Sequence, residues 1–308
     1  MVKLNKMLVN MTTNEPTDSL LDKAIRIGDA AHSSIELFQC GYQSYPSSMN
    51  MISPSLLENI QHQRLRDMEK DLDRIASSYR HKPYSIGTDV AWAKDVTDGV
   101  LTKAERFQPD LILHEVAEHP HLLHRLLAPQ DWLLLRQAQT PLLLCKERPW
   151  PEHVRIVACI DPFHEHDQAT QVDQHILDYA SELANALGAE LHLLHTYAQI
   201  PQAAIFDDTV IGDFETLHRR MREEHQLKLQ QVIKEYDASF DLGLLHVQEG
   251  EFHKVLPQFV HQQSINIVVM GSLARGMIDR LLLGSSVERV LDAIPCDVLV
   301  IKPDQISN

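Results

Sequence analysis

At 308 residues and 44% apolar composition, the chain can fill about two domains with sizeable cores, which excludes wholesale disorder. Its 28 basic and 43 acidic residues give a formal net charge of −15, which repels polyanions on average and argues against nucleic acid or an anionic membrane as partner. Cys40, Cys145, Cys159 and Cys296 form no C-x-x-C pair, no long apolar stretch follows Met1, and no apolar run is long enough to span a bilayer, so a reducing, cytoplasmic location is expected.

Met7-Leu-Val-Asn-Met11 reads as a buried strand. A helix starts near Pro16 and runs to about Ala31, with Leu20, Leu21, Ala24, Ile25 and Ile27 as its apolar stripe. Ser34 to Phe38 is a second strand, residues 41–53 form a loop rich in Ser, Tyr and Pro, and Pro54 opens a long helix to about Tyr79. Tyr84 to Trp92 is a strand and Val96 to Phe107 a helix. Asp110 to His114 is a strand, Leu126 to Gln137 a helix, and Thr140 to Lys146 a last strand. Strands alternating with helices predict a mainly parallel sheet covered on both faces.

The segment around Arg148-Pro-Trp-Pro151 breaks this pattern, and the same order then begins again. Val154 to Ile160 is a strand, and Asp167 to Leu187 a helix stopped at Gly188. Glu190 to His195 is a strand and Phe214 to Tyr236 a long charged helix. Leu242 to Val247 (strand), Phe252 to His261 (helix), Ile265 to Met270 (strand), Val287 to Ala293 (helix) and Cys296 to Lys302 (strand) complete the chain. A repeat of about 150 residues means tandem duplicate domains, expected at 1–147 and 152–308.

In the second half, a buried strand stops at Gly271, and Gly284-Ser285-Ser286 then opens a helix. Such a turn presents backbone N–H groups to an anion. It also needs glycine for backbone reasons alone, so a phosphate cradle and a plain tight turn both fit. The spacing is neither that of a P-loop nor that of a dinucleotide fingerprint.

Gly271, two residues, Ala274, nine residues and Gly284-Ser285 resemble the nucleotide motif G-x2-G-x9-G-S/T of the universal stress protein family, with Ala274 replacing the second glycine. Asp161, in Ala158-Cys-Ile-Asp161-Pro162, matches the aspartate with which that family ends its first strand. The tandem layout, Asp131-Trp132, the Pro-Trp-Pro linker and the ending Val298-Leu-Val-Ile-Lys-Pro-Asp304 are similar to the family's tandem-domain bacterial members. The resemblance covers nearly the whole chain. It implies an α/β fold of two tandem doubly wound domains, each a five-stranded parallel sheet of order 3-2-1-4-5 with helices on both faces. In such a sheet the crevice opens beyond strands 1 and 4, where the strand order reverses, so Asp161 and Gly271 should meet there.

At that crevice the resemblance implies an adenine nucleotide, ATP, held by Asp161, Pro162, Thr196, Met270, Gly271, Ala274, Arg275, Gly284, Ser285 and Ser286. Each has a plainer role. Asp161 accepts from adenine or ribose, or caps the turn before a helix. Thr196 and Met270 flank the base, or pack in the core. Arg275 reaches phosphate, or is simply solvated. Ser285 and Ser286 add donors at a positive helix end, or cap it. If position 274 needs a positive φ, alanine costs about 1 kcal/mol or more.

Aligned on strand 4, the first domain has Glu115 and Glu118 opposite Gly271 and Ala274, and Pro129 opposite Ser285. Carboxylates repel phosphate and proline removes an N–H, so this domain should not bind nucleotide in the family manner. The same segment carries His114, Glu115, Glu118, His119 and His121, a set dense enough to ligate zinc or to be an ordinary polar turn.

Three function classes follow. The first is a nucleotide-binding sensor or regulator in a stress response, with at most slow ATP hydrolysis, since the motif lacks the lysine and Mg²⁺-holding acid of phosphoryl transfer. The second is a module for an apolar or acyl ligand, suggested by Ala274, Met270, Met277 and Leu281 to Leu283. The third is a scaffold. The resemblance implies that its two domains form an intramolecular pseudo-dimer through their last strands, leaving room for a further homodimer.

Overall fold

The structure is a computed structural model, and it describes residues 2–11, 18–41, 54–93, 95–116, 129–163, 167–199, 214–272, 290–291 and 293–303. Two compact units emerge. One comprises Met1–Glu152, Asn185–Leu187 and Asp297–Val300; the other comprises His153–Ala184, Gly188–Cys296 and Ile301–Asn308.

The first unit contains β1 (Lys6–Asn10), α1 (Asp18–Ala31), β2 (Ser34–Gly41), α2 (Pro54–Ser77) and β3 (Ile86–Trp92), then α3 (Val96–Phe107), β4 (Leu111–Glu115), α4 (Pro129–Gln137) and β5 (Leu142–Cys145). Its strands lie in the order β3-β2-β1-β4-β5 and pair in parallel, as in Leu8↔Glu36, Leu8↔Ile112 and Leu113↔Leu143. Met7, Leu8, Val9, Leu111, Ile112 and Leu113 are all fully buried. Burial of consecutive residues is what a parallel strand with both faces covered requires. One further strand belongs here: Asp297–Val300 of β10 (Asp297–Ile301) runs antiparallel to β5, through Val298↔Leu144 and Val300↔Leu142.

The second unit contains β6 (Arg155–Cys159), α5 (Asp167–Leu187), β7 (Glu190–Tyr197), α6 (Phe214–Tyr236), β8 (Leu245–Glu249), α7 (Phe252–Gln262) and β9 (Ile267–Gly271). Strands β9-β6-β7-β8 are neighbours in that order, with parallel pairs Val157↔Val268, Ala158↔Leu193 and Thr196↔Gln248. Helix α5 ends at Gly188 with φ +58°, the left-handed stop that its glycine signals.

Strand β8 corrects the sequence expectation. It begins at Leu245 rather than Leu242, because residues 242–244 form a 3-10 turn. The Asp241 carboxylate accepts from the Gly243 N–H at 2.8 Å, a local bond that competes with the sheet ladder. Strand β3 likewise starts at Ile86 rather than Tyr84, whose hydroxyl is engaged by Asp29 of α1 at 2.9 Å. The helix expected at Val287 to Ala293 lies largely outside the described residues. No helix among the described residues is long and apolar enough to cross a membrane.

Candidate functional site

From β6 the chain crosses to β7 and then β8 on one side, whereas β9 pairs on the other side of β6. In open α/β sheets such a reversal is where a crevice forms, here beyond the carboxyl ends of β6 and β9. The register Ile156↔Ile267, Val157↔Val268, Ala158↔Val269 brings the ends of the two strands level. Asp161 follows β6 and Gly271 closes β9, so the two share one edge of the sheet. Met270 is buried, and Thr196 on β7 is buried beside them in the strand order. Pro162 lies in the turn that leaves Asp161. Ala274, Arg275, Gly284, Ser285 and Ser286 lie outside the described residues, as do Met277 and Leu281 to Leu283.

Asp161 has partners of its own. Its Oδ1 accepts from the Phe163 N–H at 3.3 Å and sits 3.6 Å from His195 Nδ1, while its N–H donates to Asp173 Oδ2 at 3.0 Å. The carboxylate therefore closes the turn before α5, the capping role that the sequence left open. Its side chain stays 19% exposed, so solvent reaches it even so.

Gly271 has a packing reason to be glycine. A Cβ there would lie 2.9 Å from Val172 Cγ1 and 3.5 Å from Ile176 Cδ1, both on α5. The absent side chain lets α5 pack close against the end of β9, and Gly271 is not among the residues with positive φ.

Sequence reasoning missed an aromatic and imidazole stack beside Asp161. His195 is 1% exposed; its Nδ1–H donates to the Ile160 carbonyl at 3.2 Å, so its Nε2 accepts from His225 Nδ1 at 2.8 Å. The His225 ring lies 4.2 Å from Phe163, 5.0 Å from His195 and 4.5 Å from Tyr197, centroid to centroid. No local motif signals this cluster, because β7, α6 and the turn after β6 each supply a member.

In the first unit the zinc expectation needs correction at His114. Asn10 Nδ2 donates to His114 Nδ1 at 2.8 Å, and His114 Nε2 donates to Asp131 Oδ1 at 2.8 Å. With both ring nitrogens bonded inside the core, no lone pair remains for a metal. Glu115 ends β4, whereas Glu118, His119 and His121 lie outside the described residues. Among the described residues no group of three His, Cys, Asp or Glu is placed to hold a metal ion. Pro129 opens α4, a position where its missing N–H breaks no helical bond.

Residues 154–302 match the universal stress protein family. Over its full length the chain is similar to universal stress protein E of Escherichia coli K12, with 24% identity across 314 residues covering 100% of this chain and 97% of that protein. Universal stress protein E of Photorhabdus laumondii is 23% identical over 308 residues, covering 99% and 96%. Among solved structures, PA1789 of Pseudomonas aeruginosa PAO1, titled functionally unknown, has a TM-score of 0.71 at 24% identity, covering 98% of this chain and 94% of that one. A universal stress protein from Archaeoglobus fulgidus has a TM-score of 0.65 at 18% identity, covering 98% and 99%. These two likenesses establish a shared fold.

Proposed function

This chain belongs to the universal stress protein family, and from that premise we propose that its C-terminal half, residues 152–308, binds an adenine nucleotide, ATP, in the crevice beyond β6 and β9. In this reading it serves as a sensor or regulator in a stress response rather than as an efficient enzyme. The observation that carries the reading is the convergence of Asp161 and Gly271, far apart in sequence, at the point where the strand order reverses. Asp161 offers a solvent-accessible carboxylate to an adenine amino group or a ribose hydroxyl. In this reading Gly284, Ser285 and Ser286, which lie outside the described residues, are the groups assigned to phosphate by the resemblance. In the first half, acidic residues and Pro129 replace those groups, so one nucleotide per chain is expected.

Mass spectrometry of ligand released from purified protein, with calorimetry of Mg·ATP, tests this. The expected result is an adenine nucleotide at about one per chain and loss of ATP heat in Gly284→Asp, where a carboxylate meets phosphate. Protein that purifies empty and gives no heat with Mg·ATP overturns the reading. Release of a fatty acid instead supports the acyl-ligand alternative.

A further inference from the structure

A second concave site lies in the same unit, beyond the ends of β7 and β8 rather than β6 and β9. It is a cleft of about 540 Å³. Tyr197, Gln248 and Glu249 line it from the strand ends, where Thr196↔Gln248 and Tyr197↔Glu249 are paired. His218, Arg219 and Arg222 line it from the first turns of α6. Arg219 and Arg222 are one helical turn apart, so they project on one face of α6.

Among the described residues lining this cleft, the two arginines outnumber the one carboxylate. Its carboxylate, Glu249, is engaged by His218, with Nδ1 at 3.2 Å from Oε2. Neither Arg219 nor Arg222 pairs with any acid among the described residues, although Glu215, Glu223 and Glu224 stand on the same helix. Both arginines are exposed, so neither is held by burial. Two guanidinium groups with no acid partner among the described residues share this concavity in a chain of net charge −15.

A second cleft, in the first unit, offers a contrast. Lys103 and Arg106 of α3 have the same spacing and line that cleft. There the protein supplies the anion itself: Asp89 Oδ2 lies 2.9 Å from Lys103 Nζ and 2.8 Å from Arg106. Glu36 also pairs with Lys103. In the cleft at α6 the carboxylate among the described lining residues, Glu249, pairs with His218 rather than with either arginine.

We propose that the cleft between α6 and the ends of β7 and β8 binds a small phosphorylated molecule, with Arg219 and Arg222 holding its phosphate. A phosphate monoester carries close to two negative charges and three acceptor oxygens, matching two guanidinium forks. The Tyr197 hydroxyl and the Gln248 amide line the rest of the cleft and suit the polar part of such a ligand. The cleft is larger than phosphate alone, which selects an organic phosphate. The assignment is independent of the nucleotide crevice, since none of its residues belongs to the glycine-serine motif.

The test is titration of the full chain with glucose 6-phosphate, a probe without a base, at low ionic strength, read by phosphorus-31 NMR line width. Saturable broadening is expected. The double variant Arg219→Gln, Arg222→Gln should weaken binding by at least about tenfold, because it removes charge-assisted bonds. Arg222→Lys should fall between the two, keeping charge but losing the fork. Gly284→Asp should bind as wild type does, which separates this site from the proposed nucleotide crevice. Non-saturable broadening, an unchanged affinity in the double Gln variant, or equally tight competition by succinate overturns the proposal.

Discussion

Lys23 Nζ and Asp297 Oδ2 lie 2.8 Å apart in the first unit, with side chains 0% and 3% exposed. The pair spans 274 residues of sequence. Asp297 accepts three further donations: from Lys146 N at 2.7 Å, from Trp150 Nε1 at 2.8 Å, and from Lys23 to its other oxygen at 3.1 Å. Lys23 also donates to the Lys146 carbonyl at 2.7 Å. This knot holds β10 in register beside β5. Burial opposes the charge on Asp297, and its donors favour it.

Removing one partner should therefore destabilise the protein strongly. Asp297→Leu or Lys23→Met leaves a buried charge without its counterpart, at a cost of about 3–5 kcal/mol. The double variant should recover part of that loss by removing both charges, though it leaves the Lys146 N–H and Trp150 Nε1–H without their acceptor. Urea denaturation of the three variants checks this; additive losses would show that the pair does not act as a unit.

Stability should also depend on pH through His246. Burial, with His192 beside it, lowers the His246 pKa below the ordinary value of 6.5. His192 Nδ1 is 3.1 Å from His246 Nε2, and His192 Nε2 is 2.8 Å from Glu190. A base whose pKa is depressed by folding stabilises the native state above its unfolded pKa and loses that contribution as pH falls. Denaturant midpoints should thus drop from pH 7 to pH 5, and His246→Gln should flatten the slope. An unaltered slope in that variant would assign the acid sensitivity elsewhere.

Gly271→Ala should destabilise through packing. Its Cβ would press on Val172 Cγ1 at 2.9 Å, and overpacking of this kind costs about 1–3 kcal/mol. Adding Val172→Ala should return part of the loss. Thermal unfolding without nucleotide isolates this effect from any change in ligand affinity.

The thiols should be inert in the native state. Burial pushes Cys40 up to about 11 and holds Cys145 and Cys159 well above the ordinary thiol range. Cys296 is buried as well. At pH 8 a thiol with that pKa is roughly one part in a thousand thiolate. A chromogenic disulfide reagent should react slowly with native protein and count four thiols in denaturant. Fast reaction of one thiol in native protein would mark a local opening.

Much of the fold was legible because the strands in question are buried on both faces and read as continuous apolar runs. Helix α1 carried a clear apolar stripe from Leu20 to Ile27, and α5 a clear stop at Gly188. Where local bonds competed with periodicity, the reading slipped, as at Asp241, which turns the chain before β8. Of the candidate site, Asp161 and Gly271 were found through their spacing and resemblance. His195 and His225 were not, because their pairing spans 30 residues and two different elements.

By itself, then, the sequence determined the alternation of strands and helices, the repeat and the net negative charge. Those properties are local, set by composition and by periods of two or about 3.6 residues. Tertiary structure decided which partners each side chain meets. It turned His114 from a metal candidate into a core hydrogen-bonded group, gave Gly271 a packing reason through α5, and joined Lys23 to Asp297. It set Arg219 and Arg222 in a cleft whose carboxylate among the described residues, Glu249, is taken by His218. Partners distant in the chain are chosen by strand order and helix placement, which no short window of residues records.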